Sequence, residues 1–306
     1  MPTLMPEPGA NPMPPSTQQS MTPADWLLLG ILSILWGGSF LFIAVAVREV
    51  PPLTLVLVRT LIGGLMLLAV ARLGGQALLG VVGNLIPFSL ISFGQTLIPS
   101  GLTAILNATT PLWTVVLLWL IRGERIGTVK LAGLFLGVAG VALLLAPKVA
   151  GGEQARLVGA LAILGAALSY GTAGVWAVRF KHLPPAVISA VTLLATAAMV
   201  TPASLILDRP WTLSPGLEAI AALLALSLVS TGFAYLLFYR IMNRAGPTNA
   251  SLVTFLVPVS AILLGALVLG ERLDWTAFAG MAVIFAGLAA IDGRLFRRRT
   301  GVARAM

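Results

Sequence analysis

PLWTVVLLWLIRGER fills residues 111–125, and PVSAILLGALVLGER fills residues 258–272. Each starts at a proline, runs through apolar residues and ends in Gly-Glu-Arg, with the glycine twelve residues after the proline. From Gly123 and Gly270 onward, eight of 21 aligned positions are identical. An apolar run that stops on paired charges suits a membrane helix ending at the interface. One such unit written twice, 147 residues apart, implies two copies of one structural module.

The correspondence extends toward the N-terminus of each copy. Ile34-Leu-Trp-Gly37 matches Leu168-Ser-Tyr-Gly171, and Pro51-Pro52 matches Pro184-Pro185. Ten apolar stretches are long enough to read as spans: 26–47, 53–71, 78–96, 101–121, 129–146, 157–178, 184–207, 217–239, 247–270 and 275–291. Each copy holds five of them. Five is odd, so the second copy enters the membrane upside down relative to the first. Inverted repeats of this kind build secondary transporters, with the substrate site near the midplane between halves. The expected architecture is therefore an all-α membrane protein, ten transmembrane helices arranged as two inverted five-helix repeats. The repeats occupy residues 25–150 and 151–293.

Composition agrees with that class. The chain has 306 residues, 58% hydrophobic and 9% charged, with mean hydropathy +1.00. Ordinary soluble domains carry about 25% charged residues. A β-barrel would need short segments of alternating polarity, which the sequence lacks. There is no cysteine, which excludes disulfides, zinc thiolates and cysteine nucleophiles. The one histidine, His182, stands beside Lys181 in a loop, and no role falls to it.

The net charge of +9 does not point to nucleic acid, because the basic residues fall in loops and the C-terminal tail. With the N-terminus in the cytoplasm, 13 Lys and Arg face the inner side and 5 the outer. That bias predicts cytoplasmic N- and C-termini. Residues 1–24 are Pro- and Met-rich without a basic residue, unlike a signal peptide. They read as a disordered cytoplasmic tail, or as a leader upstream of a start at Met21. Residues 294–306 open on RLFRRR and read as a basic anchor on the inner side.

WGGSF at 36–40, Arg59 within LVRTLIGG and the twinned Pro-to-GER blocks resemble the EamA-type transporters of the drug/metabolite transporter superfamily. The resemblance covers about residues 26–292, in both halves and in order. It implies a ten-helix, two-repeat carrier of the bacterial inner (plasma) membrane, often exporting amino acids or related metabolites. One position departs from it. Repeats of that family often carry an arginine on the second helix, and Thr192 stands where Arg59 maps in the second copy.

Polar residues at helical spacing mark candidate cavity faces, since an unpaired polar group is costly in lipid. The fourth span shows Thr103, Asn107, Thr110 and Thr114; the third shows Asn84, Phe88, Ser92 and Gln95. The sixth shows Ser169, Thr172 and Trp176 beside Tyr170, and the eighth Ser227, Thr231, Tyr235 and Phe238. The ninth shows Ser251, Thr254 and Pro258, and the first Trp36 and Ser39. The substrate-binding candidates are Trp36, Ser39, Gln95, Asn107, Thr110, Tyr170, Thr172, Trp176, Thr231, Tyr235 and Thr254. The competing use of a membrane Ser or Thr is to satisfy its own helix's carbonyls or to join helices.

Arg59 is the one charge well inside a span, which by default suggests function. Two uses are open to it: binding a substrate carboxylate, or anchoring neighbouring helices. The resemblance places it on a helix that mainly packs, which favours the second. Pro111 and Pro258 interrupt matching helices and are candidate gating elements. Glu124, Arg125, Glu271 and Arg272 stand at helix ends, where capping and interhelical pairing are their expected work. Glycines 133, 137 and 140 and the small residues Gly280, Ala282, Ala286 and Gly287 suit close helix packing at the periphery, with a homodimer contact as a further use.

The leading functional reading is a secondary transporter exporting small amphipathic or zwitterionic metabolites such as amino acids, through a neutral, polar and aromatic cavity. Its partners would be the lipid bilayer and a small-molecule substrate, with no cofactor. A channel or lipid scramblase is the alternative. A membrane enzyme is weaker still, because acid–base or metal chemistry finds no Cys, intramembrane His or deep carboxylate to use. The same lack leaves proton coupling without an evident carrier group.

Overall fold

The computed structural model describes residues 21–68, 80–123, 126–177 and 183–292, and all the secondary structure in them is helical. The helices are α1 (Pro23–Ala46), α2 (Pro52–Leu68), α3 (Ile86–Gly94), α4 (Ser100–Asn107), α5 (Thr110–Arg122), α6 (Thr128–Ala150), α7 (Gln154–Ala177), α8 (Pro185–Ala203), α9 (Leu217–Leu224), α10 (Ala234–Ala245), α11 (Pro247–Ala250), α12 (Val253–Leu269) and α13 (Trp275–Asp292). π-Helical segments lead into α3 (Val81–Leu85), continue α8 (Ser204–Asp208) and join α9 to α10 (Ala225–Phe233). Seven helical rods are at least 18 residues long and apolar enough to cross a membrane, and three further apolar helices are shorter. The chain is a multi-pass membrane protein.

Helix starts follow from local chemistry. Thr22 and Asp25 form a reciprocal capping box, so α1 begins at Pro23, just ahead of the predicted span. Pro111 and Pro185 occupy first-turn positions of α5 and α8, where a missing N–H costs little, and Pro87 lies at the junction of the π segment with α3. The run predicted as one span over 101–121 is broken at Ala108–Thr109, directly before Pro111. Pro258 behaves differently. It lies inside α12, and the break in that region falls earlier, at Ser251–Leu252.

The packing of the two halves is reciprocal. α6 lies along α13, and α2 lies along α8. α1 packs on α12, as α7 packs on α5. α3 packs on α7, as α9, α10 and the π segment between them pack on α1. Two glycines make the relation concrete. A Cβ on Gly37 would strike Ser260 Oγ and sit 2.9 Å from Ala261 N; a Cβ on Gly171 would sit 3.0 Å from Trp113 Cβ and 3.1 Å from Thr114 N. Gly37 matches Gly171, and Ser260-Ala261 match Trp113-Thr114 in the aligned copies.

The small-residue stripes of α6 and α13 face each other. Added Cβ atoms would lie 2.6 Å from Gly287 O at Gly133 and 2.8 Å from Gly280 O at Gly140. Between membrane helices, where lipid offers no hydrophobic drive, such close backbone approach is what packing rests on. These glycines are thus used within the chain. Glu124, Arg125, His182, residues 1–20 of the N-terminal tail and residues 294–306 lie outside the described residues, while Thr22 to Ala24, assigned to the tail, cap and begin α1.

Candidate functional site

A cavity of about 310 Å³ lies where the halves meet. Both helix breaks open onto it: Asn107, Ala108, Thr110 and Pro111 on one side, Val253, Thr254 and Pro258 on the other. Discontinuous helices near a cavity are how membrane proteins expose backbone and polar groups without facing lipid.

Four of the five aromatic side chains in the cavity lining stand as two related pairs. The Trp36 and Tyr235 rings meet edge-on with centroids 6.1 Å apart, and Tyr170 meets Phe88 edge-on at 6.4 Å. Trp36 matches Tyr170 in the aligned copies, and Phe88 matches Tyr235 at the 147-residue offset. Asn107 and Thr254, and Pro111 and Pro258, are matched lining pairs at the same offset.

Arg59 breaks this symmetry. It is 7% exposed and lines the cavity; of the two uses left open for it, carboxylate binding and helix anchoring, the sequence reading favoured the second. Its Nε donates to Thr231 Oγ at 3.0 Å, and its guanidinium carbon lies 3.9 Å from the centroid of the Phe88 ring. Gly63, one turn on, lets α2 approach closely, since a Cβ there would be 2.9 Å from Thr231 Cγ2. Thr231 lies in the π segment and donates to Leu226 O, five residues back. No Asp or Glu lines the cavity among the described residues. The cavity is therefore cationic, not neutral as expected.

Of the substrate-binding candidates, Trp36, Ser39, Asn107, Thr110, Tyr170, Tyr235 and Thr254 line this cavity. Gln95, Thr172, Trp176 and Thr231 are not in its lining. Gln95 donates from Nε2 to Phe40 O at 2.8 Å, and its Oε1 is buried without a partner. It faces a second chamber of about 300 Å³ with Arg48, Thr96 and Glu271. Thr172 bonds back to Leu168 O, Thr110 to Asn107 O and Ser39 to Trp36 O. The hydroxyls thus largely serve their own helices. Asn107 Oδ1 is buried without a hydrogen-bond partner. The sequence reading missed Phe40, Ile43, Ile91, Ala104, Ala108, Val253 and Val257 in the lining. Phe88, which it placed on a candidate face of the third span but not among the binding candidates, lines the cavity.

Glu271 caps α4. Its carboxylate accepts from Ser100 N (2.9 Å), Ser100 Oγ (2.9 Å) and Gly101 N (3.1 Å). Arg272 is exposed. At this end α4 packs against both α1 and α12. The matched segments at the other end, α5 with α11 and the start of α12, make no comparable packing among the described residues.

Residues 24–146 and 157–291 each match the model of the EamA-like transporter family. The chain belongs to that family. Similar proteins of this EamA-type transporter include the "Uncharacterized transporter YoaV" of Bacillus subtilis, 26% identical over 86% of this chain and 95% of that protein. Another is the "Uncharacterized inner membrane transporter YedA" of Escherichia coli K12, 28% identical over 89% of this chain and 92% of its own length. A third, from the same organism, is called "Probable amino-acid metabolite efflux pump", at 28% over 88% and 94%. A chain of known structure ("Crystal structure of protein") shares the fold of this EamA transporter with a TM-score of 0.63 at 22% identity, covering 91% of this chain and all of that one.

Proposed function

We propose that this EamA transporter is a ten-helix carrier of two inverted five-helix repeats, exporting small amphipathic metabolites such as amino acids by alternating access. The observation that carries the reading is the cavity, walled by matched residues from both copies and by both helix breaks. A site on a two-fold relation between inverted halves gives each half the means to adopt the other's conformation.

The unequal ends support the alternating part. α4 closes on α1 and α12 at one end, with Glu271 as the latch, and among the described residues no matched packing stands at the other. The positive-inside bias makes the closed end the outer one, so the state is open toward the cytoplasm. The inner membrane, with both termini cytoplasmic, is the proposed location; the relative named as an inner membrane transporter supports it. The relative named as an amino-acid metabolite efflux pump supports the substrate range. Trp36, Asn107, Tyr170, Tyr235 and Thr254 are the proposed contacts.

Counterflow in proteoliposomes tests the reading. Saturable, trans-stimulated exchange of a labelled amino acid or a related metabolite is expected. Fast, non-saturable leakage through folded protein would replace the carrier with a channel.

A further inference from the structure

Resting on the carrier reading, we propose that the cavity selects its solute by a single carboxylate, held by Arg59, on an aromatic or branched apolar body. An ammonium group on the solute is not required.

The donors around Arg59 carry this. Its Nε is satisfied by Thr231, and its face is covered by Phe88. Its two terminal nitrogens make no hydrogen bond to a described residue. Tyr170 and Tyr235, from the other half, line the same cavity and are its electrostatic neighbours. A guanidinium stays protonated and presents two parallel N–H groups that match a carboxylate.

The described residues offer Arg59 no counter-charge. Five described carboxylates are engaged at helix ends: Asp25 with Arg244, Glu153 with Arg156, and Glu49, Asp208 and Glu271 on backbone N–H groups of other segments. No acidic side chain lines the cavity among the described residues. An unpaired cation in the membrane interior is costly, so the ligand is the natural source of the missing anion. A monocarboxylate brings the cavity to neutrality. A zwitterion supplies the same carboxylate but leaves the net charge in place, and its ammonium meets only neutral acceptors such as Asn107 Oδ1. An amine or a carboxamide offers Arg59 no charge at all.

The ligand set 3-phenylpropionate, 3-phenylpropionamide, phenylalanine and phenethylamine varies the two groups on one body. Thermal stabilisation of the purified full chain is read first, then counterflow. The carboxylate is expected to stabilise the wild type and to exchange at a concentration roughly ten-fold below that of the amide. Phenylalanine should fall between them and phenethylamine last. Arg59→Gln should level carboxylate and amide, and Arg59→Lys should keep part of the gap. If either variant fails to fold, the wild-type ranking alone decides. Equal response to carboxylate and amide, preference for the amine, or no response to any of the four would overturn the proposal. In each case counterflow with a wider solute panel would still judge the carrier reading separately.

Discussion

Arg59 Nε donates to Thr231 Oγ at 3.0 Å, across 172 positions of sequence and between the two repeats. The π turns around Thr231 aim its hydroxyl at α2, and Gly63 brings α2 near enough to be reached. Thr231→Val keeps the shape and removes the acceptor. Leaving a charged donor without its buried partner costs about 1–3 kcal/mol. The variant should unfold at a lower temperature, and half-maximal exchange should need a several-fold higher solute concentration. A variant indistinguishable from wild type in both would mean that Thr231 does not hold the guanidinium.

Glu271 joins the second Gly-Glu-Arg to the N-terminus of α4 in the first repeat. A carboxylate there satisfies orphan N–H groups and meets the positive end of the helix dipole. Glu271→Gln removes the charge and at least one acceptor, at a cost of about 1–2 kcal/mol to the closed end. That shifts the open population on this side by roughly five- to thirty-fold. The chain has no cysteine, so Val47→Cys in the chamber below the latch gives a clean reporter. Labelling by a membrane-impermeant maleimide should quicken in the Glu271→Gln background. An unchanged rate would mean that the cap is not a latch.

The multi-pass helical class and the two copies were legible because apolar length and spaced glycines are local properties. Among the aromatic candidates Trp36, Tyr170 and Tyr235 come together at one cavity, while Trp176, named with them, is not in its lining. For Arg59 the sequence left two uses open, because a lone charge on a span does not say which face of its helix it occupies. That depends on the helices beside it, here on Phe88 and Thr231. The π segments were illegible because they have no residue signature. Thr172, bonded to its own helix and outside the lining, and Thr110, bonded to its own helix but inside it, look the same in sequence.

The pairing of α6 with α13 makes a sharp mutational contrast. Gly140→Leu would put a Cβ 2.8 Å from Gly280 O and from Ile284 N, both backbone atoms that cannot swing aside. Overpacking of this kind costs about 1–3 kcal/mol, and more where backbone must move. The yield of monodisperse protein in detergent should fall sharply. Gly30→Ala meets nothing within 4 Å and should be tolerated. Equal yields from the two variants would show that α6 and α13 are not held together by their small faces.

Gln95 gives the least intuitive expectation. It is 7% exposed, donates one hydrogen bond to Phe40 O and keeps Oε1 buried without a partner. A half-satisfied amide gains about 0.5–1.5 kcal/mol from the bond it makes and carries the desolvation cost of the acceptor it wastes. Gln95→Met keeps the length and removes both, so the two effects oppose each other. Thermal stability should stay within about 1 kcal/mol of wild type. Solute affinity should also hold, because Gln95 faces the second chamber and not the aromatic cavity. A loss of affinity at unchanged stability would instead place Gln95 on the path of the solute, with Oε1 as the acceptor that the solute satisfies in transit.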